Sequence, residues 1–177
     1  PVRMSIIGGS LGARALNELV PLALKKFTDD SILVTHQCGK GNSDKVKALY
    51  ESASFKVEAT DFIDNMDALY ANTDLIICRA GALTVAETST AGIPAIFVPL
   101  PTAVDDHQTK NASVLAKAGA AFVCKQSSLS ADSLYDLVKS LVDDREKLAF
   151  MSAKAYECAI TDATERAVKI IESVVKD

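Results

Sequence analysis

The sequence predicts an α/β fold, a doubly wound parallel sheet with helices on both faces, and three observations carry that expectation. Short apolar runs alternate along the chain with stretches of helical periodicity. The apolar runs are nearly continuous rather than alternating, as in strands covered on both faces. The first and fourth runs each end in a glycine turn that opens a helix, the arrangement in which open parallel sheets bind ligands.

The elements follow in order. Residues 3–7 read as the first strand, and 11–27 as a helix with Leu16, Leu19, Val20, Ala23, Leu24 and Phe27 at helical spacing. Residues 31–36 form a second strand, closed by the turn Gly39-Lys40-Gly41. Asn42 or Ser43 then caps a helix running to about residue 53. A third strand spans 56–60, and 62–70 is a connection with a turn or two of helix. The fourth strand, 74–78, leads through Arg79-Ala80-Gly81 into a helix over 83–91, stopped by Gly92. Residues 95–98 form a fifth strand, and a proline-punctuated loop leads to a helix over 106–118, capped by Asp105 or Asp106. Residues 120–124 make the sixth strand, and the tail holds three helical runs, 130–142, 145–159 and 163–175. Strand–helix repeats of this kind wind right-handed into a parallel sheet. With no linker or internal repeat, the chain reads as one domain, 1–177, ending in a helix over 163–177.

Composition narrows the function. At 177 residues, 49% apolar and 24% charged, the chain has enough apolar side chain for a sizeable core, which excludes intrinsic disorder. Nineteen basic against 23 acidic residues, a net charge of −4, argue against nucleic acid as a partner. No apolar run approaches the roughly 18 residues that span a bilayer, and the start of the chain leads straight into a strand rather than a secretory leader. Cys38, Cys78, Cys124 and Cys158 contain no C-x-x-C pair and are expected to be reduced packing residues. With only His36 and His107 besides, neither a metal nor a cofactor is expected.

The chemistry concentrates at strand ends. In Gly8-Gly9-Ser10-Leu11-Gly12-Ala13-Arg14 the glycines let the backbone turn sharply, and the following helix offers unpaired N–H groups and its positive end, suited to phosphate; the competing reading is a tight turn built for packing. The spacing is not G-x-G-x-x-G, and His36-Gln37 stand where a dinucleotide fold places an acid for the ribose. The second turn, Gly81-Ala82-Leu83-Thr84-Val85-Ala86-Glu87, again sets glycine before a helix. Glu87 suits a neutral diol such as a ribose, or else turns back on the backbone as a capping box. At the start of the fifth helix, Gln108 and Asn111 present amides to sugar hydroxyls, or simply face solvent. Taken together, the three clusters fit a nucleotide sugar.

These segments resemble a known family. The runs Ile6 to Asn17, His36 to Gly41, Phe62 to Met66, Cys78 to Glu87, Pro94 to Pro99 and Asp106 to Ala112, with Asp162 to Arg166 in the tail, are similar to the C-terminal half of the MurG family across essentially the whole chain. The resemblance implies a Rossmann-like domain, the C-terminal half of a GT-B glycosyltransferase that moves N-acetylglucosamine from UDP-N-acetylglucosamine to lipid I, making lipid II for peptidoglycan. It implies that Ser10 contacts the diphosphate and that Ile63 frames the uracil through its main chain. Ala82, Leu83 and Thr84 meet the phosphates, and Val85 and Ala86 also belong to the UDP-N-acetylglucosamine site; Glu87 holds the ribose, and His107 and Gln108 face the sugar. Gly9, Gly12 and Gly81 support the phosphate turns. Position 95, eight after Glu87, is Ala95 rather than a second glutamate, in keeping with an inverting enzyme that needs no metal. No catalytic base is expected here. The resemblance places the acceptor site, the lipid I contact and attachment to the cytoplasmic face of the inner membrane in an N-terminal half that this chain lacks, so the chain is expected to be an excised or truncated domain, soluble and inactive alone. Two alternatives are a stand-alone donor-binding subunit of a two-chain N-acetylglucosamine transferase and a dinucleotide-binding oxidoreductase domain.

Overall fold

The strands are β1 (Val2–Ile7), β2 (Ile32–Gln37), β3 (Val57–Thr60), β4 (Leu75–Cys78), β5 (Ala95–Phe97) and β6 (Ala121–Val123). In the computed structural model, which describes residues 1–9, 11–101 and 106–175, they pair in parallel in the order β3-β2-β1-β4-β5-β6. The order reverses at β1, which is flanked by β2 on one side and β4 on the other, with Ile7 in register with both Gln37 and Cys78.

Alternate residues of the central strands enter two cores. Met4, Ile6, Leu75, Ile77, Ile96 and Val98 belong to the larger one, and Ile76, Cys78, Ala95 and Phe97 to the smaller. Both faces are therefore apolar there, and β4, β5 and β6 carry no charged or amide side chain. Helix α1 (Arg14–Leu24) puts Leu16, Val20 and Leu24 into the larger core, joined by Val46 of α2 (Ser43–Leu49) and by Leu134, Val138 and Leu141 of α6 (Ala131–Val142). The smaller core is covered by Tyr70 of α3 (Met66–Ala71), Val85 of α4 (Ala82–Thr90), Ala112 and Leu115 of α5 (His107–Lys117) and Ala155 of α7 (Arg145–Val175).

Several helix ends differ from the sequence-based expectation. α1 starts at Arg14 rather than residue 11, because the left-handed Gly12 (φ +77°) holds the chain out of the helix. Asn42 stands at the N-cap of α2, but its side chain donates to the Cys38 carbonyl; the Asp61 carboxylate reaches across to accept from the Gly41 and Ser43 N–H groups instead. Asp106 precedes α5 in a left-handed conformation (φ 52°) with no side-chain cap, and Asp105 lies outside the described residues. The last two predicted helical runs are one continuous helix, α7. The Ile160–Arg166 stretch holds neither glycine nor proline, and Asp162 pairs with Arg166 one turn on, at 3.1 Å. Beyond residue 160 α7 is exposed all round, so of the two places the sequence offered for Val168, Ile171, Val174 and Val175, this domain or a partner half, the first is excluded. No helix among the described residues is long and apolar enough to cross a membrane.

Candidate functional site

The reversal at β1 brings the two glycine turns side by side. Ile7 and Cys78 are in register at the ends of β1 and β4, so Gly8–Gly9 and Arg79–Gly81 leave the sheet as neighbours, at the position where doubly wound sheets open a crevice.

The glycines do different work there. At Gly12 an added Cβ would run into the Cys38 carbonyl oxygen, and one at Gly39 into the Gly12 backbone, so these two turns pack back to back and glycine is required by close approach. At Gly9 (φ +87°) and Gly81 a Cβ would meet nothing; these positions face open space. The packing reading of the first turn therefore holds at Gly12, while Gly9 faces open space at the end of β1. Ser10 lies outside the described residues.

Gly81 is the N-cap of α4 with no side-chain cap, so among the described residues nothing accepts from the N–H groups of Ala82, Leu83 and Thr84 in the first turn. Ala82 and Leu83 are exposed, Leu83 by 73%. Val85 is different: its N–H donates to the Gly81 carbonyl and its side chain packs on the smaller core, so it offers no donor. Ala86 lines a cavity of about 440 Å³ with Asp67, Tyr70, Ala71, Glu87, Thr90 and Ala91. Glu87 lies in the second turn of α4 and is no part of a capping box; its Oε2 accepts from the Tyr70 hydroxyl at 2.6 Å. Burial, with the hydrogen bond to Glu87 next, pushes the Tyr70 phenol well above its usual range, so it is a firm donor at neutral pH.

Gln108 and Asn111 are not turned outward as the sequence suggested. Gln108 Oε1 accepts from Ala80 N–H (3.2 Å) and Leu100 N–H (2.8 Å), and Asn111 Nδ2 donates to the Ala80 carbonyl (3.1 Å). The two amides grip both polar groups of Ala80 and hold the backbone that aims Gly81 at the crevice. Among the described residues nothing accepts from Gln108 Nε2. His107, the first residue of α5, is exposed. Arg79 Nη1 donates to the Val98 and Pro99 carbonyls and to Gln126 Oε1 (2.7 Å), tying together the ends of β4, β5 and the turn after β6.

Beyond β3, the N–H and C=O of Ile63 make no hydrogen bond with other described residues, leaving a donor and an acceptor available on one backbone unit. Leu11, Phe62, Leu83 and Leu100, large apolar residues after β1, β3, β4 and β5, are all exposed along this same edge.

His36 is structural, as expected. Its Nε2 faces Asn17 Oδ1 at 3.0 Å and its Nδ1 faces the Tyr50 hydroxyl at 2.9 Å. Because Asn17 donates through Nδ2 to the Cys38 carbonyl, its oxygen must accept, which puts the imidazole proton on Nε2. Burial lowers its pKa to about 4. The residue that sequence reasoning missed is Gln37, noted only for not being an acid. It is buried, and its amide holds the Gly8–Gly9 turn. The side chain that a dinucleotide fold would turn to a ribose is here spent on the protein's own backbone.

The sheet order, the paired turns and the open end of α4 make a Rossmann-like domain, the fold of the C-terminal half of GT-B glycosyltransferases. Residues 3–174 match the glycosyltransferase family 28 C-terminal domain, and the chain belongs to that family. It is 49% identical over 177 residues to a protein of Thiobacillus denitrificans named UDP-N-acetylglucosamine–N-acetylmuramyl-(pentapeptide) pyrophosphoryl-undecaprenol N-acetylglucosamine transferase, covering 99% of this chain and 48% of that one. A protein of the same name from Aeromonas hydrophila is 51% identical over 166 residues, covering 94% of this chain and 46% of that one. The crystal structure of Acinetobacter baumannii MurG superposes with a TM-score of 0.87 at 44% identity, covering 98% of this chain and 50% of that one. The chain thus spans about half the length of the curated relatives it matches. The glycosyltransferase VinC, crystallised with dTDP, shares the fold at a TM-score of 0.65 and 22% identity over 98% of this chain and 42% of its own.

Proposed function

We propose that this chain is the donor-binding half of an inverting glycosyltransferase that moves N-acetylglucosamine from UDP-N-acetylglucosamine to lipid I, forming lipid II for peptidoglycan. The observation that carries the reading is the open N-terminus of α4, with three unpaired N–H groups beside a second glycine turn and a carboxylate one helical turn further on. The N–H groups and helix dipole receive the diphosphate. Glu87, aimed by Tyr70, accepts from the ribose hydroxyls. The free backbone donor and acceptor of Ile63 match the amide edge of uracil. Gln108 offers Nε2, and His107 its ring, to the sugar, and Ser10 adds a hydroxyl to the diphosphate.

The same donors carry the chemistry. As the glycosidic bond breaks, negative charge grows on the departing UDP, and fixed N–H dipoles stabilise it without reorganising. Inverting attack also needs a base for the acceptor hydroxyl, held in line with the leaving group. His36 is enclosed and engaged on both nitrogens; following the family resemblance, the base is assigned to the other half of the enzyme, along with lipid I and the cytoplasmic face of the inner membrane. The exposed Leu11, Phe62, Leu83 and Leu100, and the bare end of α7, are the surfaces for that half.

The test is an amide-resolved NMR titration of the chain with UDP-N-acetylglucosamine and, separately, NADH. The nucleotide sugar is expected to shift Ile63, Gly81, Ala82, Leu83 and Thr84 saturably, and NADH none of them. Binding of NADH there in preference, or no response to the nucleotide sugar, overturns the proposal.

A further inference from the structure

Gln37 ends β2 between β1 and β3, in register with Ile7 on one side and Thr60 on the other. Its side chain folds over the end of the sheet and is saturated. Oε1 accepts from Gly8 N–H (3.1 Å) and Gly9 N–H (3.0 Å), while Nε2 donates to the Gly9 carbonyl (2.7 Å) and the Asp61 carbonyl (2.9 Å). A primary amide has two donor hydrogens and two acceptor lone pairs, and all four are used.

The partners lie in two different parts of the crevice. Gly9 belongs to the turn after β1, where its carbonyl also accepts from Gly12 N–H at 3.0 Å. Asp61 immediately precedes Phe62 and Ile63. We infer that Gln37 is a positioning residue that couples the diphosphate turn to the base-binding segment, fixing their separation for a nucleoside diphosphate. The inference rests on the proposed reading of the crevice as a UDP site.

The two ends depend on Gln37 unequally. Asp61 keeps other anchors: its carbonyl accepts from Gly39 N–H at 3.0 Å, and its carboxylate accepts from Gly41 and Ser43 N–H. For the Gly8 and Gly9 N–H groups, Gln37 is the acceptor among the described residues. Gly9, in the left-handed region, has few local constraints of its own. Losing the amide therefore loosens the phosphate turn more than the base segment. The two replacements of similar length remove this pairing: ionised Glu has no donor, and Met offers only a weakly accepting sulfur.

The experiment measures dissociation constants for UDP and for uridine with the wild-type chain, Gln37→Met and Gln37→Glu, well below each protein's melting temperature. Gln37→Met is expected to lose at least tenfold in UDP affinity and less than threefold in uridine affinity, so the ratio of the two collapses. Gln37→Glu keeps the acceptor for Gly8 and Gly9, which protects against failure to fold, but it removes both donors and sets a negative charge beside the diphosphate. It is expected to lose UDP affinity to a similar extent, and more at low than at high ionic strength. A purely structural role would lower the melting temperature and leave the ratio unchanged. A wild-type UDP-to-uridine ratio, within threefold, in the folded variants overturns the inference while leaving the UDP site standing. A wild-type chain that binds no UDP overturns the reading of the site and the inference with it.

Discussion

The Tyr70 hydroxyl donates to Glu87 Oε2 at 2.6 Å, so the helix that precedes β4 aims a carboxylate carried by the helix that follows it. The two residues are 17 apart in sequence, and β4 with its glycine turn lies between them. A carboxylate held this way keeps one direction, and among the described residues no hydrogen bond reaches its second oxygen.

That geometry gives the first prediction. Saturating UDP is expected to stabilise the wild-type chain by about 2.7 kcal/mol at a hundredfold excess over its dissociation constant. Glu87→Ala should lose most of that shift. Tyr70→Phe should retain the carboxylate but misdirect it, weakening UDP about three- to tenfold and lowering unliganded stability by about 1 kcal/mol. Thermal melts with and without UDP check both. Full UDP protection in Glu87→Ala would rule out the ribose role.

The glycines give a paired prediction. Gly12→Ala combines a left-handed φ with a clash against the Cys38 carbonyl, and should destabilise the chain by about 2 kcal/mol or more. Gly81→Ala has an extended backbone and open space, and should change stability by only about 0.5 kcal/mol. The new methyl group stands beside the α4 donors, however, so UDP binding should weaken roughly fivefold or more, because a pyrophosphate needs close backbone approach. Urea unfolding and calorimetric titration separate the two effects, and equal stability losses in both variants would contradict this division of labour.

His36 sets an acid limit on stability. With its folded pKa lowered to about 4 by burial, against 6.5 for the free group, the unfolded chain binds the extra proton between those values. The contribution of neutral His36 is complete above about pH 6.5 and is lost as pH falls toward 4, amounting to about 3 kcal/mol across the window. His36→Gln should be less stable than wild type at pH 7 yet show a flatter fall between pH 6.5 and 4. Parallel pH profiles for the two proteins would assign the acid sensitivity to other groups.

The last prediction concerns turnover. The chain alone should bind donor and transfer nothing to a lipid I analogue, because the in-line base and the acceptor surface are assigned to the other half. Incubation with radiolabelled UDP-N-acetylglucosamine and the analogue tests this. Labelled lipid product formed in proportion to this chain, and lost in Gln108→Ala, would mean that it carries a complete active site.

The sequence by itself determined the architecture and placed the two glycine turns at strand ends. Short continuous apolar runs such as Leu75–Cys78, bounded by turn residues, read as strands buried on both faces, and they are. Those are local properties, legible in the chemistry of neighbouring residues. The tertiary structure alone decided what each polar side chain does there. Gln108 and Asn111 look like ligand contacts in sequence, yet they clamp Ala80 from a helix some 30 residues away. Gln37 looked like the absence of an acid, and it proves to be saturated by backbone groups of two other strand ends. The apolar end of α7, which the sequence offered either to this domain or to a partner half, is exposed on this one. A side-chain amide or a helix face bonds with whatever the sheet order brings near it, and that order places β1 beside β4 across some 70 residues of chain. Periodicity carries the form of an element, whereas the partners of its polar groups exist only once the strands have paired.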